Sequence, residues 1–174
     1  MTDVERLYAD HQAGVFRYLR RIVGGLDVAR DLTQEVFLRV SRAGVPVTSE
    51  TGRRAWVFRI ARNLALNHLR DTGRRQTGEA ADASVPGTQE LSMALSHAID
   101  ALPTLDRDIF LLRETAGLSY EEIAETCDLH IGAVRTRLHG ARQKLRSMLG
   151  TSLDLREQRG VRALPAGPRQ APDR

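Results

Sequence analysis

Residues 117–146, GLSYEEIAETCDLHIGAVRTRLHGARQKLR, carry the strongest local structural signal in the chain. It opens with a capping box, in which the Ser119 hydroxyl accepts a hydrogen bond from the Glu122 amide and the Glu122 carboxylate reaches back to the Ser119 amide. A short helix is therefore predicted at 119–127, followed by a turn at 127–129. The small side chain of Ala124 would let a second helix cross closely, which is typical of a helix-turn-helix.

The helix predicted after this turn, at about 131–148, has two faces. One is apolar and would pack inward; it comprises Val134, Leu138, Ala141 and Leu145. The other is basic in a segment that carries no acid; it comprises Arg135, His139, Arg142 and Arg146. A short packing helix followed by a basic helix suits insertion into the major groove, so the pattern predicts a DNA-reading unit. For a basic helix taken alone, a solvated charged face is the alternative.

The rest of the chain also follows the 3.6-residue period, and no stretch alternates strictly, so the predicted fold class is all-α. Helices are predicted before a polar, glycine- and proline-containing stretch at about 3–23, 27–43 (capped by Asp27) and 53–71, and after it at about 89–101, 104–116, 119–127 and 131–148. The polar stretch, 73–88, is typical of a flexible linker. We therefore predict two small helical domains, at 1–72 and 89–150, with 151–174 as a disordered tail.

Composition narrows the function classes. All but one of the 26 basic residues are arginine, whose planar guanidinium suits contacts to phosphate and guanine. Cys127 is the only cysteine and the five histidines are scattered, so we expect no disulfide, metal or cofactor. No catalytic triad or phosphate-binding glycine loop can be assembled, so we expect no enzyme. No apolar run nears the roughly 20 residues that span a bilayer and no signal peptide is recognisable, which predicts a cytoplasmic protein without direct membrane insertion.

Several of these stretches resemble, in the right order, the extracytoplasmic-function (ECF) sigma factors of the sigma-70 family. They are DLTQEVFLRV (31–40), AWVFRIARNLALNHLR (55–70), GLSYEEIAE (117–125) and GAVRTRLHGARQKLR (132–146). The resemblance covers about residues 1–150. It implies that the first domain binds core RNA polymerase and the promoter −10 element, and that the second binds the −35 element. It also implies contacts with the β′ clamp helices and the β flap of the polymerase, and an anti-sigma factor as a regulatory partner.

The resemblance assigns a role to one face of each of three helices. A largely acidic face on the second helix is expected to bind the polymerase; it comprises Asp27, Asp31, Gln34, Glu35 and Leu38. A face on the third helix is expected to contact the −10 element; it comprises Arg59, Arg62, Asn63, Asn67 and Arg70. The last helix is expected to read the −35 element through Gly132, Arg135, Thr136, Arg137, His139 and Arg142. The loop at 44–52 would hold an extruded base, and Trp56 is predicted to be core.

Three features depart from the family pattern. Asp128 stands where the turn usually has glycine, and aspartate can enter the left-handed region that such a turn needs. Gly140 occupies a position that is often basic, and the loop at 44–52 lacks aromatic residues. These departures concern promoter preference more than fold.

Two other function classes account for less of the chain. A transcription regulator that binds an operator without being a polymerase subunit would explain 117–148 but would leave 31–40 and 55–70 without a purpose. An enzyme acting on nucleic acid would need a catalytic constellation that the sequence does not supply.

Overall fold

The computed structural model describes residues 2–46, 49–73 and 86–161, with 86–88 and 151–161 described as backbone only. Within these ranges the chain forms seven helices and no strand, which confirms the predicted all-α class. The helices are α1 (Asp3–Val23), α2 (Leu26–Ala43), α3 (Glu50–Thr72), α4 (Pro86–Asp100), α5 (Thr104–Glu114), α6 (Tyr120–Cys127) and α7 (Ile131–Val161). Among the described helices, none combines the length and apolarity that crossing a membrane requires.

The N-terminal helices, α1–α3, pack on one another around a shared apolar core. A capping box of Thr2 and Glu5 starts α1, and Gly24 ends it in the left-handed conformation (φ 77°), which glycine adopts without steric cost. The residues predicted to face inward from α3 are buried at Val57, Ala61 and Leu64, whereas Ile60 and Trp56 are half-buried against the core. The hydrophobic period therefore predicted the packing faces correctly.

Two helix starts differ from those predicted. Gly25 is the N-cap of α2 and makes no side-chain hydrogen bond, so the predicted cap at Asp27 is wrong. Asp27 lies in the first turn instead, where a carboxylate still interacts favourably with the helix dipole. The third helix begins at Glu50 because Ser49 accepts a hydrogen bond from the Gly52 amide at 3.1 Å. The loop predicted at 44–52 is shortened accordingly, and its residues 47 and 48 lie outside the described residues.

The C-terminal helices, α4–α7, contain the helix-turn-helix that the sequence predicts. Both hydrogen bonds of the Ser119–Glu122 capping box are present, at 3.1 Å and 2.7 Å. Asp128 ends α6 in the left-handed conformation (φ 55°, ψ 52°), as its position in the turn predicts. The predicted inward face of α7 is buried at all four positions: Val134, Leu138, Ala141 and Leu145.

The ends of α4 and α7 extend beyond the predicted bounds. The fourth helix begins at Pro86, inside the stretch predicted as a linker, and residues 74–85 of that stretch lie outside the described residues. The last helix continues to Val161, where the sequence predicts a disordered tail from Thr151. A single glycine at 150 costs a helix only about 1 kcal/mol, and no proline follows before Pro165. Residues 162–174 lie outside the described residues.

The two groups of helices pack against each other, which the sequence did not predict. The third helix lies along α6, and α1 contacts α5. One continuous core includes Tyr18 and Phe58 from the N-terminal helices and Ile109, Leu112 and Ile123 from the C-terminal helices. The rings of Tyr18 and Phe58 meet edge to face with centroids 6.1 Å apart. The chain is thus described in a closed form, with helices α3 and α6 in contact.

Candidate nucleic-acid and partner interfaces

The outward face of α7 is open to solvent along its first half. Gly132, Arg135, Thr136 and His139, all predicted to read DNA, are exposed. The Thr136 hydroxyl donates a hydrogen bond to the Gly132 carbonyl at 3.0 Å. An open groove of about 460 Å³ follows this face and is lined by Asp106, Gly132, Ala133, Thr136, Arg137 and Gly140. The structure therefore brings the predicted −35 residues together on one accessible surface.

Two of the predicted −35 residues are paired with acids of neighbouring helices. Arg137 Nη1 lies 2.8 Å from Asp106 Oδ1, and Lys144 Nζ lies 3.6 Å from Asp106 Oδ2. Arg142 Nη2 lies 2.8 Å from Glu114 Oε1, and hydrogen bonds to Glu114 and Tyr120 raise the pKa of Arg142 above its ordinary value. The Arg137 and Arg142 side chains are still 41% and 37% exposed. Ion pairs at this exposure are weak and can exchange for another anion.

The predicted polymerase-binding face of α2 is exposed at Asp27, Asp31, Gln34 and Leu38, whereas Glu35 is half-buried and bonded to Arg39 at 2.7 Å. Two apolar side chains border this face and were missed by sequence reasoning. Leu26 is exposed, and the exposed Tyr8 ring stands edge-on to Phe37 with centroids 4.8 Å apart. Tyr8 directly follows the buried Leu7 and therefore lies outside the apolar stripe of α1. An aromatic residue at such a position could have been recognised from the sequence as an exposed apolar group. The face combines carboxylates with exposed apolar groups.

The predicted −10 residues share one side of α3, and they divide into two sets. Asn63, Asn67 and Arg70 are exposed. Arg59 is also exposed, but its guanidinium donates a hydrogen bond to the Glu125 carbonyl at the end of α6. Arg62 is half-buried and pairs with the Asp108 carboxylate on α5. Two of the five residues are therefore already in contact with the C-terminal helices.

Asp108 is the centre of the contact between the two groups of helices. Its Oδ1 accepts a hydrogen bond from the Tyr18 hydroxyl at 2.5 Å, and its Oδ2 accepts one from Arg62 Nε. The aspartate is 3% exposed and the tyrosine 1%. Burial and the neighbouring carboxylate raise the pKa of Tyr18 well above its ordinary value. The Tyr18 hydroxyl therefore stays protonated and serves as a hydrogen-bond donor.

Three further arginines of the N-terminal helices make the same kind of contact and were missed by sequence reasoning. Arg54 lies 3.3 Å from the Glu122 carboxylate and donates to the Ala116 carbonyl at 2.7 Å. Arg17 donates to the Thr115 carbonyl at 3.4 Å. Arg21 lies 3.3 Å from the Asp100 carboxylate. In the sequence, the one sign of this pairing is that acidic residues are abundant in 100–125 and arginines are abundant in α1 and α3.

Two titratable side chains at this contact have shifted pKa values. Burial, with a smaller effect of Asp108, raises the pKa of the Cys127 thiol to about 12. Burial, with the nearby Arg54 guanidinium, lowers the pKa of His11. At neutral pH both groups are uncharged, so Cys127 is a poor nucleophile. No cluster of potential metal ligands occurs among the residues that the structure describes.

Comparison with known proteins gives a match for each group of helices. Residues 7–75 match the family model for sigma-70 region 2, and residues 92–145 match that for sigma-70 region 4. The ECF RNA polymerase sigma factor SigE of Mycolicibacterium smegmatis is 34% identical over 161 residues, which cover 86% of this chain and 62% of SigE. The chain therefore spans less than two thirds of that relative.

A second relative is covered over most of its length. The ECF RNA polymerase sigma-E factor of Haemophilus influenzae is 32% identical over 162 residues, which cover 82% of this chain and 85% of the relative. A chain in the co-crystal structure of the sigma factor RpoE with the anti-sigma factor NepR from Bartonella quintana matches with a TM-score of 0.65 at 21% identity, over 86% of this chain and 98% of that one. This last likeness concerns the fold. As the sequence motifs predict, the chain belongs to the ECF RNA polymerase sigma factors.

Proposed function

We propose that this chain binds core RNA polymerase and directs promoter-specific initiation by recognising −10 and −35 elements. The observation that carries the proposal is a solvent-exposed basic helix in a helix-turn-helix on the same chain as an exposed acidic and apolar face on α2. The first face suits the major groove, and the second suits a protein partner. The protein then has no catalytic role of its own and works in the cytoplasm.

The proposed division of labour follows the two groups of helices. Residues 1–72 bind the β′ clamp helices through α2 and the −10 strand through α3, and 89–150 bind the −35 duplex through α7 and the β flap. The stretch between α3 and α4 serves as the linker. Two weak modules gain affinity only when a third body holds both at the right spacing. Promoter binding is therefore expected to depend on the polymerase, and an anti-sigma factor would act by competing for these same surfaces.

Polymerase dependence separates this proposal from the regulator alternative. A regulator would bind its operator alone, and its α2 face would have no partner. Leu38 lies among the carboxylates of the α2 face, and Leu26 and Tyr8 are exposed at its border. Exposed apolar side chains in one region of the surface mark protein contacts, which favours the sigma-factor proposal.

The test is run-off transcription with core RNA polymerase on a promoter library from the genome that encodes the chain. Discrete start sites that appear only with added protein are expected. Leu38→Asp should weaken binding to the core enzyme, because Leu38 is exposed on the proposed docking face of α2. Tight binding of duplex DNA by the chain alone, without initiation in the presence of core enzyme, would instead support the regulator.

A further inference from the structure

One carboxylate of α5 pairs with two cations of the DNA-facing helix α7. Asp106 Oδ1 accepts a hydrogen bond from Arg137 Nη1 at 2.8 Å, and Asp106 Oδ2 lies 3.6 Å from Lys144 Nζ. Arg137 and Lys144 are about two turns apart and so lie on the same side of α7. Asp106 is also one of the residues that line the open groove along this helix. A single acid of the neighbouring helix therefore borders the surface that is proposed to read DNA.

Asp106 is held in place more firmly than its arginine partner. The aspartate side chain is 11% exposed, whereas that of Arg137 is 41% exposed. A buried carboxylate is costly without a cation or a hydrogen-bond donor, so Asp106 stays where it is and Arg137 is the mobile member of the pair. In the other ion pair of this face, the Glu114 side chain is 46% exposed and can move with Arg142. Only Arg137 is thus paired with a fixed acid.

The bond to Asp106 uses only part of the Arg137 guanidinium. It engages Nη1, and Nε and Nη2 remain as a pair of donors for a second acceptor. Guanine offers O6 and N7 to two such arginine donors at once in the major groove. Arg137 lines the groove together with Gly132 and Gly140, and a Cβ at either glycine would meet no atom within 4 Å. The surface beside the held guanidinium is therefore open to a base edge.

We propose that Asp106 is a positioning residue for −35 recognition, which holds Arg137 in the rotamer that presents Nε and Nη2 to a guanine edge. This inference rests on the proposed function, because it takes Arg137 to be a −35 contact. A rotamer that reaches the phosphate backbone gives up the bond to Asp106 and leaves the buried carboxylate with Lys144 at 3.6 Å. Asp106 therefore biases Arg137 away from sequence-independent phosphate binding and towards reading a base.

The place of Asp106 in the first turn of α5 also gives it a structural effect. A carboxylate there interacts favourably with the helix dipole, and the loss of this interaction would affect every promoter alike. Selectivity between bases separates the two effects, because the dipole of α5 does not distinguish one −35 sequence from another. Glu121 is the matched control, since it is an exposed acid in the first turn of α6. Glu121→Gln removes a comparable charge from the same group of helices.

The test measures which −35 bases the polymerase prefers when it carries each variant of the full chain. Core RNA polymerase is combined with the wild type, Asp106→Asn or Glu121→Gln on promoters that carry every single-base change in the −35 element mapped by run-off transcription. Arg137→Ala identifies the position that Arg137 reads, as the one where a preference for guanine is lost. An ion pair with an arginine this exposed biases an equilibrium by up to about fivefold, so Asp106→Asn should lower that preference by about threefold to fivefold. Glu121→Gln should leave it unchanged.

A double variant shows whether Asp106 acts through Arg137. Asp106→Asn added to Arg137→Ala should have no further effect on base preference, because the side chain that the carboxylate positions is gone. Arg137→Lys addresses the same question and replaces Asp106→Asn if circular dichroism shows that this variant does not fold. Lysine keeps the charge but is a point donor instead of a planar fork. It cannot bond to Asp106 and read guanine together, so the guanine preference should again fall.

The outcomes separate the positioning role from the proposed function. Wild-type protein that directs initiation, together with full guanine preference in Asp106→Asn or Arg137→Lys, overturns the positioning role and leaves the sigma-factor proposal standing. An equal loss of preference at every −35 position in Asp106→Asn, or an Arg137→Ala variant that loses no guanine preference, overturns it as well. Failure of the wild-type protein to direct any initiation with core enzyme overturns the proposed function, and the positioning role falls with it.

Discussion

The basic faces of α3 and α7 contain similar residue types, yet their arginines lie in different environments. On α7 the paired arginines, Arg137 and Arg142, meet acids of the C-terminal helices at the protein surface. On α3, Arg62 meets a carboxylate of the other group of helices that is only 3% exposed. The arginines of the α7 face can bind a new anion by changing rotamer, whereas Arg62 on α3 must first separate from Asp108.

Of the two basic faces, only that of α3 can be regulated by a change in how the two groups of helices pack. Exposed ion pairs contribute about 0–1 kcal/mol and are screened by salt. The Arg62–Asp108 pair is buried and less accessible to water and salt, so Arg62 can take another anion only after it separates from Asp108. We therefore expect the α7 face to be available to DNA at all times and the α3 face to be available only in an open form.

The largest effect is expected from locking the closed form. The Thr126 hydroxyl lies 3.3 Å from the Ala55 carbonyl across the α3–α6 contact, and both residues are buried. We expect Ala55→Cys with Thr126→Cys, in a Cys127→Ser background, to form a disulfide that holds the two helices together. Run-off transcription should fall to the level seen without added protein under oxidising conditions and should recover with a reducing agent.

The two single-cysteine variants are the controls for the lock, because each carries one of the same substitutions and cannot form the bond. They should initiate equally well before and after oxidation. Full activity of the oxidised double variant, with the disulfide confirmed by gel mobility, would show that initiation proceeds without opening. The contrast between the two basic faces would then have no functional consequence.

A second, smaller effect is expected on the α7 face. Arg135 is exposed near the start of the helix, so Arg135→Ala should weaken −35 recognition by about 1–3 kcal/mol if the side chain reads a base. The measurement is transcription from a set of promoters that differ only at −35 positions. Arg146→Ala is the comparison, since it is an exposed arginine farther along the same helix and should act more uniformly across sequences. Equal transcription by Arg135→Ala and wild type on every promoter would remove Arg135 from the site.

The sequence predicted α7 and its turn well because the signals are local. The Ser119–Glu122 capping box spans four residues, and the inward face of α7 repeats within about three turns, so no distant part of the chain is needed to predict either. The left-handed Asp128 could be predicted for the same reason. The end of α7 was less predictable, because a glycine at 150 weakens a helix without ending it.

The closed form could not be predicted because its contacts join residues far apart in sequence. Tyr18 and Arg62 reach Asp108 over separations of 90 and 46 residues. The period of α3 predicts which side chains avoid the core of the N-terminal helices, but it does not say whether water, DNA or α6 covers them. For Arg59 and Arg62 the helical period predicts the face of α3 on which they lie, whereas their neighbours on α5 and α6 are seen only in the structure.

The smallest expected effect uses Cys127 as a native probe of opening. In the closed form, the Cys127 pKa of about 12 leaves roughly one thiol in 10⁴ ionised at pH 8. In open molecules the pKa returns towards about 8.5. Alkylation, which requires the thiolate, therefore proceeds mainly through open molecules. Tyr18→Phe removes one hydrogen bond to Asp108, worth about 1 kcal/mol. We expect alkylation by iodoacetamide at pH 8 to be roughly fivefold faster in this variant than in the wild type.

Tyr18→Phe is suited to this measurement because burial is the largest cause of the raised pKa of Cys127, and Tyr18 is not among the groups that shift that pKa. Tyr8→Phe is the matched control, since Tyr8 is an exposed tyrosine on the same helix whose ring contacts Phe37 of α2. Equal rates in all three proteins would mean that Cys127 is reached by local fraying of α6, without separation from α3. A faster rate in Tyr18→Phe alone would show that the Tyr18–Asp108 hydrogen bond helps to hold the two groups of helices together, because Tyr8→Phe alters an exposed ring that packs on α2 within the N-terminal helices.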